Sequence, residues 1–123
     1  MVRLDHLAIS VTDETQSRDW YVSNFGFRVE FEVPERHTIA LQDDGGFTIF
    51  LVRDPIAATR PSCTLTLQVA DVEAKHAQLA ARGVRFEKLP QKLYWGYGAE
   101  LSDPDGYRVH VWDEKSMREK GDA

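Results

Sequence analysis

Two histidines sit where their side chains could act on a small molecule. His110 lies in DPDGYRVHVW (residues 103–112), where alternation puts Tyr107, Val109 and Val111 on one side of a strand and Arg108, His110 and Trp112 on the other. His6 lies in LDHLAISVTD (residues 4–13), where Leu7, Ile9 and Val11 alternate with Leu4, His6, Ala8 and Ser10. An imidazole on an open strand face can ligate a metal, move a proton near neutral pH or hydrogen-bond a ligand. Arg108 shares His110's face and could clamp a carboxylate or phosphate, or point to solvent. Trp112 adds a flat wall suited to planar ligands.

Other residues extend the candidate set. LYWGYG (residues 93–98) places Tyr94, Trp95 and Tyr97 between glycines, as a core-closing loop or a mobile aromatic flap. Thr64, Thr66 and Gln68 form the polar side of CTLTLQVAD, and Phe50, on the last strand of the first half, reads as pocket wall. Glu100 lies on a strand next to His110's. His37 and His76 read as surface residues, and Cys63 has no basic neighbour to make it a nucleophile.

The elements that position these residues occur twice. In each half a strand ends at an aspartate, Asp13 or Asp71, placed to cap a helix. The first helix is expected from about Glu14 to Asn24, with Trp20, Tyr21 and Phe25 as anchors. The second is expected from about Val72 to Arg82, with Val72, Ala77, Leu79 and Ala80 inward. Glycines 26 and 83 stop them, and FRVEFEV and VRFEKL follow as strands. Each half closes with two strands around an Asp-Gly turn. Setting Gly46 against Gly106 aligns Phe50 with His110. The chain thus reads as a duplicated βαβββ unit: module one about 1–53, a linker about 54–62, module two about 63–113 and a charged tail 114–123. Each sheet has one aliphatic face for its helix. The mixed, partly aromatic opposite faces predict two curled sheets enclosing a cup in an α+β domain.

The 123 residues suit one domain, with 42% hydrophobic and 28% charged residues. A net charge of -5 argues against a nucleic-acid partner and leaves room for a cationic or neutral ligand. The single cysteine and the strand-like opening run imply a cytoplasmic protein. No apolar run approaches membrane-spanning length.

The duplicated modules, DHLAISVTD, WYVSNFGF (residues 20–27) and the DPDG turn together resemble the vicinal oxygen chelate superfamily, the glyoxalase, bleomycin-resistance and extradiol-dioxygenase group. The resemblance runs from Val2 to about Asp113. It implies four metal-ligand positions, on the first and last strands of each module. Here these are His6, Phe50, Thr64 and His110, with histidine at the last where glutamate is usual. Two histidines and a threonine make a poor divalent-metal site, with Glu100 a conceivable third ligand. The expectation is a metal-free small-molecule-binding protein that holds or sequesters an aromatic or polar compound such as an antibiotic. His6, Phe50, Thr64, Gln68, Trp95, Arg108, His110 and Trp112 would line its site. The alternatives are a glyoxalase-type lyase or dioxygenase with a divalent transition metal on His6 and His110, and metal-free acid/base chemistry by the two histidines. The resemblance also implies a homodimer.

Overall fold

Asp13 decides where the first helix begins. In the computed structural model, which describes residues 2–60 and 62–122, its carboxylate accepts the backbone N–H groups of Thr15 and Gln16 at 2.9 and 3.2 Å. The chain divides into two units, residues 1–61 and 62–123. In the first, β1 (His6–Val11) leads to α1 (Glu14–Phe25), β2 (Arg28–Val33), a 3-10 turn (Pro34–Arg36), β3 (Thr38–Gln42), β4 (Thr48–Arg53) and a one-turn α2 (Pro55–Ala58). Gly26 ends α1 at φ 71°, the left-handed conformation that glycine adopts without a Cβ penalty. Between β3 and β4, Asp43 exchanges bonds with Phe47: its N–H donates to the Phe47 carbonyl at 3.0 Å and its carboxylate accepts the Phe47 N–H at 2.8 Å. The sheet order is β1-β4-β3-β2, with β1 parallel to β4 and the other pairs antiparallel.

The second unit repeats these devices. It comprises β5 (Thr64–Gln68), α3 (Val72–Ala81), β6 (Phe86–Leu93), β7 (Gly96–Ser102), β8 (Arg108–Trp112) and α4 (Glu114–Lys120). Asp71 caps α3 through the Ala74 N–H at 3.0 Å. Asp103 closes the β7–β8 turn by accepting the Asp105 and Tyr107 N–H groups, each at 2.9 Å. The order β5-β8-β7-β6 repeats that of the first sheet, so the protein is α+β with two tandem βαβββ modules. β6 carries Pro90 within the register shift between Lys88 and Gln91, as an edge strand allows.

Alternation sends Ile9, Val11, Ile39, Leu41, Ile49 and Leu51 toward the helical side of the first sheet, all buried with Tyr21. The second core gathers Val72, Leu79, Leu101, Tyr107, Val109 and Val111. Each such aliphatic side chain contributes roughly 1.5–3 kcal/mol on burial.

Both helices differ from the expected faces. α1 buries Glu14, Ser17, Tyr21 and Asn24, while Trp20 and Phe25 are only half-buried, because the 3.6-residue period puts positions 14, 17, 21 and 24 in one line. Glu14 is accommodated by Arg53 Nε at 3.1 Å and His37 Nδ1 at 3.1 Å. In α3 only Val72 and Leu79 are buried, and Ala77 and Ala80 are exposed. His76 is half-buried with its ring edge-on to Phe86 at 4.7 Å.

The charged tail is helical over most of its length. Residues 114–120 form α4, begun by Asp113, and the Tyr97 N–H meets the Met117 sulfur at 3.4 Å. The buried Asp113 carboxylate accepts the Ser116 N–H at 2.6 Å and the Val72 N–H at 2.7 Å, so one side chain starts both α3 and α4. In the expected linker, Asp54 likewise caps α2 through the Ala57 N–H at 3.1 Å, and Ala58 is buried. Each repeat therefore ends in a short helix. No helix among the described residues is long and apolar enough to cross a membrane.

Candidate functional site

The site in module two is built on the sheet face that α3 leaves uncovered. Register sets Thr66 beside His110 on one side and Glu100 beside it on the other, with Lys88 next to Glu100. Thr64 adjoins Arg108, and Gln68 adjoins Trp112. The sequence therefore aims a titratable row across one sheet face.

Trp95 covers that row. Leu93 and Gly96 pair across a tight hairpin with Tyr94 and Trp95 at its tip, so LYWGYG is a turn between two strands rather than a flap. The indole folds back over Gly98, where a Cβ would overlap both the ring and the Val111 carbonyl. It stacks flat on His110, with centroids 4.6 Å apart and planes inclined by 7°. Its Nε1–H donates to Glu100 Oε2 at 2.9 Å. Tyr94 is exposed, and the Tyr97 hydroxyl donates to Glu73 Oε1 at 2.6 Å, a hydrogen bond to a carboxylate that pushes its pKa up to about 12.

Beneath Trp95, Glu100 and His110 are 1% and 7% exposed. His110 Nε2 lies 3.4 Å from Glu100 Oε2, yet neither His110 Nε2 nor Glu100 Oε1 has a hydrogen-bond partner among the described residues. Arg108 Nη1 stands 3.5 Å from Glu100 Oε1 from a half-exposed side chain. Burial pushes the His110 pKa below its ordinary value, Glu100 opposes that, and Arg108 adds to it. Burial thus favours the uncharged imidazole. Buried polar atoms are ordinarily paired, so two adjacent open ones mark a place where a ligand's donors would be rewarded.

Module one presents a separate, apolar version. His6 stacks on Phe50 at 3.9 Å between centroids, and Phe31 meets Phe50 edge-on at 5.5 Å. His6 Nδ1 lies 2.9 Å from Asp5 Oδ2. Thr48, beside His6 in register, donates its hydroxyl proton to Glu30 at 2.6 Å. A hollow of about 680 Å³ is floored by Phe31, Thr48 and Phe50 and edged by Arg3, Glu30 and Gln42. Pockets for drug-sized ligands span a similar range. A smaller hollow of about 340 Å³ in module two lies between Gln68 and the start of α4.

The sequence-derived residues therefore fall into two sets. His6 and Phe50 are together in module one. Trp95, Arg108 and His110 are together in module two, with Thr64, Gln68 and Trp112 on the same strands. His37 is tied to Glu14, and Cys63 is exposed with its thiol pKa raised, chiefly by burial and by Asp103. Glu100 enters as the acidic centre of the second set, and Phe31 is an outward ring that the sequence reading missed. A signal for Glu100 existed in the turn: three residues outward from the Asp103–Tyr107 pair are Glu100 and His110.

Among the described residues no three His, Cys, Asp or Glu side chains converge. His6 packs against a phenyl ring at its neighbouring ligand position, and His110 has an indole flat against it. Zinc and non-haem iron catalytic sites draw on three protein ligands.

The family model for the glyoxalase/bleomycin resistance protein/dioxygenase superfamily matches residues 3–111. Among solved structures, TnmS3, an antibiotic binding protein from Streptomyces sp. CB03234, is similar at 28% identity and TM-score 0.76, over 92% of this chain and 96% of that one. A superfamily member from Sphaerobacter thermophilus DSM 20745 aligns at 24% identity and TM-score 0.75, over 92% of this chain and 98% of its own. A lactoylglutathione lyase from Agrobacterium tumefaciens aligns at 16% identity and TM-score 0.71, over 92% and 94%. The last two likenesses concern the fold alone. No curated protein matches the chain by sequence.

Proposed function

Since the chain belongs to the glyoxalase/bleomycin resistance protein/dioxygenase superfamily, we propose that it is a metal-independent small-molecule-binding protein that holds a planar aromatic compound on the helix-free faces of its modules. The observation that carries this reading is the Trp95 indole stacked on His110 above two buried, unpartnered polar atoms. Such a surface offers flat apolar area together with a few directional groups, the usual make-up of a ligand site. The Phe31–Phe50–His6 ring cluster is a separate apolar face within module one. The 28% identity to an antibiotic binding protein supports sequestration of an antibiotic as the specific form. A metal-dependent lyase or dioxygenase is the competing reading, and the sparse donor set weighs against it.

Titration of intrinsic tryptophan fluorescence with a panel of planar aromatic compounds, with and without a chelator, tests the proposal. Saturable quenching indifferent to chelator is expected. Absence of quenching by any compound, or ligand binding that needs one particular metal, would overturn it. An isologous homodimer, the commonest assembly of small chains, belongs to the same reading and is checked by light scattering.

A further inference from the structure

Glu100 is the least expected residue of the module-two face. Its carboxylate is 1% exposed, its Oε2 accepts one indole N–H at 2.9 Å, and its Oε1 accepts nothing. A carboxylate has room for about four donors, and a buried one ordinarily fills most of them. The nearest cation satisfies it poorly: Arg108 Nη1 stops at 3.5 Å without a hydrogen bond, from a half-exposed side chain at the first residue of β8. Lys88, the register neighbour on β6, is exposed. His110 Nε2, also unpartnered, becomes a second acceptor when the neutral ring carries its proton on Nδ1.

Resting on the ligand-binding reading above, we propose that Glu100 Oε1 and His110 Nε2 together receive a planar nitrogen cation with two N–H donors, of the amidinium or amino-heterocycle class, which takes the place of the Arg108 guanidinium. Glu100 Oε1 and His110 Nε2 are unpartnered acceptors on register-paired residues, so a forked donor can be shared between them, and hydrogen bonds between charged partners are the stronger kind. The Trp95 indole, whose ring already lies flat over this pair, adds a π face for the cation. Arg108 can swing into solvent without breaking a hydrogen bond at Glu100. An anionic ligand has no comparable place, because reaching the guanidinium would bring it against the buried Glu100 carboxylate. The net charge of -5 also favours cations at long range.

The test compares benzamidine, neutral benzamide and anionic benzoate by fluorescence titration and calorimetry on the parent, Arg108→Ala and Glu100→Gln. Benzamidine should bind at least roughly tenfold more tightly than benzamide, the ratio one charged hydrogen bond supplies. Arg108→Ala should tighten benzamidine further, because it removes the resident competitor. Glu100→Gln should reduce benzamidine to the level of benzamide. Equal affinities of benzamidine and benzamide on the parent, preference for benzoate, or weakening of benzamidine by Arg108→Ala would each overturn the inference. If Glu100→Gln does not fold, the parent ratio and the sign of the Arg108→Ala effect decide. Should the aromatic panel bind while benzamidine gains nothing over benzamide, the cation assignment fails and the ligand-binding reading stands. Should nothing in either set bind, both fail.

Discussion

Replacing Trp95 with phenylalanine isolates one hydrogen bond. Phenylalanine keeps a flat ring for His110 and removes the indole N–H, the one donor that the Glu100 carboxylate has among the described residues. Losing a hydrogen bond to a buried charge costs about 2 kcal/mol. The entropy of unfolding scales at roughly 2.1 cal/mol/K per residue, so across this chain 1 kcal/mol moves Tm by about 4 °C and the substitution by about 8 °C. Urea denaturation and calorimetry would measure both quantities. The cost should be specific to the acid: in a Glu100→Ala background the same change should cost at least ~1 kcal/mol less, a coupling that a double-mutant cycle reads directly. A Trp95→Phe protein within ~0.5 kcal/mol of the parent would refute the reasoning. So would one equally destabilised in both backgrounds.

The buried His110 has its pKa held down, so the unfolded chain binds a proton more readily than the folded one, and stability is lost as pH falls from the unfolded value near 6.5. His110→Gln should flatten that loss in denaturation curves taken between pH 5 and pH 7. Asp113→Ala removes the shared start of α3 and α4 and should cost about 3 kcal/mol in urea unfolding, the sum of a buried charged hydrogen bond and a helix cap. Addition of zinc or removal of metals by a chelator should leave Tm unchanged if the donor set is as sparse as it looks. A metal-specific rise in Tm abolished by both His6→Ala and His110→Ala would reverse the functional ranking.

Much of this arrangement could be read from local chemistry. Asp13, Asp71, Asp43 and Asp103 act through backbone N–H groups two to four residues away, so sequence alone exposes them, and strand alternation puts His6, Phe50 and His110 on open faces. What escaped depends on longer reach. Alternation says nothing about a residue at a hairpin tip, and the direction of Trp95 is set by the empty space over Gly98. The inner face of α1 is hidden because Glu14, Ser17 and Asn24 are polar, and only Arg53 and His37, distant in sequence, make Glu14 tolerable there. For α4, a run of charges masks the inward-facing Met117, whose sulfur lies against Gly96 and the Tyr97 N–H of β7.

Duplication gives this chain an internal reference for its own chemistry. Counted outward from the two Asp-Gly turns, Ala40 and Phe50 of module one pair across neighbouring strands just as Glu100 and His110 do in module two. The same framework thus closes with a methyl and a phenyl ring in one copy and with two ionisable groups in the other. Folding has no need of the ionisable version, and swapping buried polar pairs for apolar ones is often neutral or stabilising by 1–4 kcal/mol, on the order seen generally. Writing the first module's pair into the second, Glu100→Ala with His110→Phe, sets the loss of the Trp95 hydrogen bond, about 2 kcal/mol, against that gain, and should leave the second module's face unable to hold its ligand. Within the second sheet, the groups that would recognise a ligand are thus separate from the aliphatic residues that hold the fold, which makes its outer face the place to change specificity.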